Sequence, residues 1–209
     1  MKTYLHTYDL PNDLSIGEAV AIDTETMGLN LHRDRLCVVQ LTFDAKAVHL
    51  VHFPTPDFTK SRNLKEMLLN NRILKIFHFA RFDVATIQHN FGIQLNNIYC
   101  TKIASHLVRT FTGKHGLKDL CKDLLGIELA KEEQTSDWGS DKLHDKQINY
   151  AANDVLHLHA LKIKLDAMLI RENRTHLARA TFDYLPYRCE LDLLYGQSKD
   201  IMAHKIEGE

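Results

Sequence analysis

The sequence predicts an α/β or α+β fold, a mixed sheet flanked by helices, and three observations predict it. Short apolar, β-branched runs crowd the first half of the chain. Strand and helix patterns then alternate as far as Cys100. Beyond Cys100 the apolar residues recur at three- and four-residue steps, the spacing of helices.

In chain order, Val20 to Asp23 reads as a short buried strand that ends in carboxylates. Leu36 to Phe43 is a β-branched strand. Val48 to Phe53 follows so closely that a hairpin or meander is expected, ended by Pro54 and Pro56. Leu64 to Asn70 reads as a short helix and Ile73 to Phe79 as a strand. Asp83 to Asn90 reads as a helix stopped near Gly92, and Asn97 to Cys100 as a last short strand. Thr101 to Arg109, Leu117 to Leu125 and Asp145 to Arg171 are helical. In the last of these Ile148, Val155, Leu158, Leu161, Leu165 and Leu169 form one stripe. A final helical stretch, Thr175 to Leu194, is expected to be interrupted at Pro186. With no linker, repeat or low-complexity segment, residues 1–209 are expected to form a single domain. Within it, about 18–170 is a core and 171–209 a helical C-terminal extension.

The chain has 209 residues, 44% of them hydrophobic and 25% charged, the profile of an ordinary globular protein. A net charge of −1 excludes the strong basic excess of a protein that grips long duplexes. The four cysteines form no CxxC pair, so neither a zinc site nor a disulfide framework is expected. Met1 to Leu10 has no apolar stretch of signal-peptide length and no run is long enough to span a membrane, so the expectation is a cytoplasmic protein with no membrane partner.

The chemistry concentrates in three separated segments. Asp23 and Glu25 lie two apart at a strand's end, so both point the same way. Asp83 opens a helix, where a carboxylate is tolerated by the dipole. Tyr150 and Asp154 are four apart on a helix and share a face, about 6 Å apart. Each alone has a bland reading: a solvated turn, a helix cap, a core aromatic beside a surface charge. Their co-occurrence offers four carboxylates and a phenol. Two divalent ions roughly 3.5–4 Å apart, held by such hard oxygen ligands, can clamp the attacking and leaving oxygens of a phosphodiester.

Asp23-Thr24-Glu25-Thr26 with Gly28-Leu29, then His78-Phe79-Ala80-Arg81-Phe82-Asp83, then Tyr150 and Asp154 resemble the three motifs of the DEDD 3′–5′ exonuclease superfamily. The branch is the one with tyrosine in its third motif, DEDDy. Gln134, Ser136-Asp137-Trp138, Leu143 and Gln147 resemble the approach to the third motif in RNase D. The compact length, Ser136-Asp137-Trp138-Gly139 and the ending from Leu185-Pro186 to Asp200-Ile201-Met202-Ala203-His204 look like the nano-RNase C subfamily.

The resemblance implies an RNase H-like fold and a metal-dependent 3′–5′ exoribonuclease acting on very short RNA, dinucleotides above all, to give 5′-monophosphates. It implies two divalent ions, Mg2+ or Mn2+, on Asp23, Glu25, Asp83 and Asp154, with Tyr150 orienting the attacking water. It further implies a homo-oligomer, an octamer, and Thr26, Gly28 and Leu29 along the 3′-terminal nucleotide, with His78 lining the channel. Gly28 would allow close backbone approach and Leu29 would wedge against a base. The rival readings are RNase D-like trimming of structured RNA 3′ ends, a 3′–5′ DNA exonuclease, and a catalytically silent nucleic-acid-binding module.

Among weaker candidates, Lys102, Arg109, Lys114, His115, Lys118 and Lys122 form the richest basic stretch, read mostly as a solvated helix face. Arg109 and His78 are the residues expected to meet a 5′ phosphate, since a planar guanidinium suits that group; the alternative is that a partner subunit supplies this cap. Trp138, the single tryptophan, is expected to anchor the segment before Tyr150 by packing. Phe182, Tyr184, Tyr187 and Tyr195 cover either the protein's own core or a subunit interface; the resemblance favours the interface.

Overall fold

The computed structural model describes residues 2–129 and 136–204. Gln134, part of the approach to the third motif, lies outside them. Six strands form one mixed sheet: β1 (Lys2–Thr7), β2 (Ala19–Thr26), β3 (Leu36–Thr42), β4 (Ala47–His52), β5 (Leu74–Phe77) and β6 (Ile98–Cys100). Their spatial order is β1-β4-β3-β2-β5-β6. β2, β3 and β4 pair antiparallel, while β1 runs parallel to β4, β5 to β2 and β6 to β5. All seven residues of β3 are buried, as a continuous apolar run requires of a strand covered on both faces.

β1 is the element that apolar patterning misses. Its residues, KTYLHT, are exposed or half-buried, and Leu5 faces out. Backbone pairing with β4 holds it in place at the sheet's edge.

The helices are α1 (Arg62–Leu69), α2 (Ala80–Phe91), α3 (Thr101–Val108), α4 (Leu117–Leu120, continued by a wide turn over Cys121–Leu125), α5 (Asp145–Leu156), α6 (Leu158–Arg171) and α7 (Thr175–Tyr195). β5 ends at Phe77, two residues before the expected Phe79. Phe79 instead adopts a left-handed conformation (φ 62°) that turns the chain into α2, and Gly92 (φ 61°) ends that helix the same way.

Two further expectations are corrected. The helical stretch from Asp145 to Arg171 is two helices, broken at His157 (φ −102°, ψ −3°). The break lets α5 lie on β2, β3 and β4 while α6 follows α3. The second correction concerns Pro186, which does not interrupt α7. Ala178, Phe182, Leu185 and Cys189 bury one face of α7, which packs against α2. Gln88 Nε2 donates to the Pro186 carbonyl at 3.3 Å. Packing along five turns outweighs one missing backbone bond. Of the C-terminal aromatics, Phe182 is buried against Tyr99, with ring centroids 4.7 Å apart, whereas Tyr187 and Tyr195 are exposed.

The main core runs from the sheet through α2, α3 and α6 to α7. A smaller cluster of Cys37, Val38, Leu50, Trp138 and Ala151 supports Tyr150 from below. The four cysteines are free and buried.

Candidate active site

β2 carries Asp23, Thr24 and Glu25 to the sheet's centre, and a register shift at Glu25/Thr26 ends its regular pairing with β3. α5 crosses above and brings Tyr150 and Asp154 down. Its start is fixed by several contacts. The Gln147 side chain accepts from the His144 backbone N–H at 2.9 Å and donates to the Asp137 carbonyl at 3.0 Å. Arg35 donates to the Gly139 carbonyl at 3.1 Å and to the Phe53 and Pro54 carbonyls. Trp138 packs 6.2 Å from the Tyr150 ring, centroid to centroid, so it sits where a packing anchor must.

Asp23, Glu25 and Asp154 each present an oxygen within 4.8 Å of the others. Asp83, in the first turn of α2, completes the set from behind. It is buried, and its Oδ1 accepts from Thr24 Oγ1 at 2.7 Å. Among the described residues no Lys or Arg is ion-paired with any of the four.

The electrostatic consequence is large. Burial, then the charges of Asp83, Asp154 and Glu25, push Asp23 well above the carboxylate range. Burial, then the charges of Asp154 and Asp83, push Glu25 up to about 9. Burial pushes Asp83 up to about 7, opposed by the Thr24 hydroxyl. It also pushes Asp154 up to about 6, opposed by Tyr150 and Lys118. The Tyr150 phenol rises too, through burial and then the charges of Asp154, Glu25 and Asp23, so it keeps its proton. A converging, uncompensated carboxylate set fits hard divalent cations, whose charge would restore the ionised forms.

Asp23, Glu25, Tyr150 and Asp154 open into a cavity of about 480 Å³ lined also by His78, Gly116, Leu117, Lys118, Asp119, Leu129 and Asn153, whereas Asp83 is buried behind it and does not line it. His78 Nδ1 lies 2.9 Å from Thr101 Oγ1, and burial, with Lys102 nearby, lowers its pKa to about 3. It is therefore neutral and offers no charge to a phosphate.

Arg109 is not brought to the cavity. It is buried, ion-paired with Asp123, and donates to the Lys114 carbonyl at 2.8 Å. Its guanidinium is spent on pinning the loop before α4, which corrects the expectation that it meets a phosphate. Thr26, Gly28 and Leu29 stand beside the cavity rather than lining it. Thr26 Oγ1 donates to the Gly28 carbonyl. A Cβ on Gly28 would collide with the Asp34 carboxylate, so a larger residue there must displace that carboxylate from its Asn30 and Arg33 contacts. Leu29 is 80% exposed.

Among the described residues Lys118 is the cation that lines the cavity, where its sequence context suggests only a solvated lysine. Nothing in its local pattern separates it from Lys114 or Lys122; the fold of the loop before α4 does. Asn153 stands within the third motif, one residue before Asp154, which was its available signal.

The fold, the carboxylate set and its tyrosine have the arrangement of DEDDy-type metal-dependent nucleases, and the sequence matches the 3′–5′ exonuclease domain over residues 3–170. The chain belongs to that family, in its RNase D-like branch. It is 46% identical to Brucella melitensis NrnC bound to pGG, with a TM-score of 0.93, covering 98% of this chain and 100% of that one. NrnC from the same organism with bound Mg2+ matches at 45% identity and a TM-score of 0.92, over 98% of this chain and 100% of that one. Ribonuclease D of Granulibacter bethesdensis is 32% identical over 155 residues, 74% of this chain but 38% of that protein. The chain thus spans well under half the length of that relative.

Proposed function

We propose that this protein is a metal-dependent 3′–5′ exoribonuclease that hydrolyses very short oligoribonucleotides, dinucleotides above all, to 5′-monophosphates. The observation that carries the reading is the cluster of Asp23, Glu25 and Asp154 backed by Asp83, with no ion-paired Lys or Arg among the described residues. Asp23, Glu25, Asp83 and Asp154 would hold two divalent ions, Mg2+ or Mn2+. The ions would supply Lewis-acid stabilisation of the phosphodiester oxygens and a more acidic bound water. Magnesium is favoured by the Mg2+-bound relative.

Tyr150 would orient the attacking water by hydrogen bonding through its phenol. Lys118 at the cavity mouth meets the substrate's terminal 5′ phosphate, and Leu29, with most of its side chain free, packs against a base. A net charge of −1 suits a substrate with few phosphates. The pGG seen with the Brucella relative supports the dinucleotide as substrate. The reading includes a homo-oligomer, an octamer, in the cytoplasm; no described helix is long and apolar enough to cross a membrane.

Turnover of a labelled dinucleotide, a longer single strand and a tRNA precursor with Mg2+ tests the substrate. Faster cutting of the long strand or of the precursor would sink the short-substrate reading and favour the RNase D-like alternative. Preference for a deoxy strand would favour the DNA exonuclease. Mass in solution tests the oligomer.

A further inference from the structure

The hydrogen bonds behind His78 run in one direction. Thr101 Oγ1 lies 3.2 Å from the Phe77 carbonyl oxygen, which can only accept, so the single hydroxyl proton goes there. The same Oγ1 lies 2.9 Å from His78 Nδ1 and has only lone pairs left to offer it. Nδ1 therefore carries the imidazole proton, and Nε2 carries a lone pair. Thr101 is fully buried at the start of α3, so the arrangement is fixed by the fold.

His78 lines the same cavity as Asp23, Glu25 and Asp154. Its free nitrogen is a neutral acceptor. It repels phosphate oxygens, which only accept, and welcomes an O–H. In a phosphodiester the nearest hydroxyl to the scissile phosphorus is the ribose 2′-OH vicinal to the leaving 3′ oxygen.

We propose that His78, held by Thr101, is the residue that selects ribose over deoxyribose, accepting a hydrogen bond from the 2′-hydroxyl of the nucleoside on the leaving side of the scissile bond. This rests on the phosphodiesterase reading above. A site built to bond a hydroxyl rejects the analogue lacking it far more strongly than an apolar pocket does. Burial reinforces the choice, because a cationic imidazole would instead attract phosphate and lose its acceptor.

The test uses 5′-phosphorylated diguanylate with Mg2+ and two analogues, one 2′-deoxy on the 5′ nucleoside only and one 2′-deoxy on the 3′ nucleoside only. In the wild type, kcat/KM should fall at least tenfold for the first analogue and little for the second. In His78→Phe the preference for ribose at the 5′ nucleoside should collapse to within about threefold. In Thr101→Val, which keeps the imidazole but frees its tautomer, it should shrink partway, and this variant decides the matter if His78→Phe fails to fold.

A ribose preference unchanged in the folded variants, or a loss that follows the 3′ sugar, overturns the proposal. Repeating the pair with diuridylate guards against a base contact; a loss that follows the base in place of the sugar also overturns it. Failure of the wild type to cut any of these substrates would overturn the phosphodiesterase reading itself, a distinct result.

Discussion

Two buried aspartates touch α2, and the protein treats them in opposite ways. Asp192, on α7, has a side chain with 0% exposure and two arginines. Arg81 grips it through Nε at 2.6 Å and Nη2 at 2.7 Å, and Arg188 adds a contact at 2.8 Å. The two guanidiniums also donate to the Gln197 and Lys199 carbonyls. Asp83 stands two residues from Arg81 and is equally buried, yet it has a threonine hydroxyl and three carboxylate neighbours. Compensated charge at Asp192 fastens α7 to the first turn of α2. Asp83, with no ion-paired Lys or Arg among the described residues, resists ionisation chiefly because it is buried, a cost that a bound metal would relieve. Structure and site therefore sit side by side in one motif, His78 to Asp83, and burial alone tells nothing about which is which.

The largest expected effect separates them by chemistry. Asp83→Asn should lower kcat by about a thousandfold or more, since the proposed metal set would lose a ligand, while the metal-free protein becomes no less stable. A steady-state assay beside a thermal melt checks both. A variant that keeps activity would remove Asp83 from the metal set.

The next effect is in pH. The folded-state pKa of Asp83, about 7, lies above the ordinary carboxylate value. Between roughly pH 4 and 7 the folded state binds more protons than the unfolded one, so metal-free stability falls as pH rises through that window. The loss is on the order of 4 kcal/mol for this group. Urea unfolding in EDTA at pH 5 and pH 7.5 should show the drop, and Mg2+ should restore stability at the higher pH. A midpoint that rises with pH in EDTA would refute the raised pKa of the buried Asp83.

Asp192→Ala should act the other way round. Removing one partner of a buried pair costs roughly 3–5 kcal/mol. Arg81 and Arg188 keep 31% and 16% side-chain exposure and their carbonyl partners, so about 2–3 kcal/mol is expected here. The denaturation midpoint should drop, while kcat of the folded fraction changes less than tenfold. A collapse of kcat without loss of stability would make Asp192 part of the site's positioning.

What the sequence disclosed follows the same division. Asp23, Glu25, Asp83, Tyr150 and Asp154 were legible because strand and helix periodicity and the spacing of three motifs each constrain side-chain direction locally. β1 was not, because an edge strand held by backbone pairing needs no apolar face. The His157 break and the passage of α7 through Pro186 were hidden for a related reason: both are decided by what the helices pack on. Arg109 misled because its charge suggests phosphate, and only the fold shows Asp123 and the Lys114 carbonyl already occupying it.

Lys118 carries the smallest expected effect and the sharpest reading of that lesson. It is exposed, yet it lines the cavity and its charge opposes the rise of the Asp154 pKa. An exposed cation near a carboxylate contributes modestly to stability, so Lys118→Ala should leave the melting temperature nearly unchanged. Against a 5′-phosphorylated dinucleotide it should raise KM about tenfold, the worth of one exposed charge-assisted contact. Against the same dinucleotide without the 5′ phosphate, KM should change little, because the contact is absent in both enzymes. Equal losses on the two substrates would place Lys118 beside the carboxylates instead of the terminal phosphate. Lys118 would then serve the metal-binding charge balance, and the carboxylate set would be partly compensated.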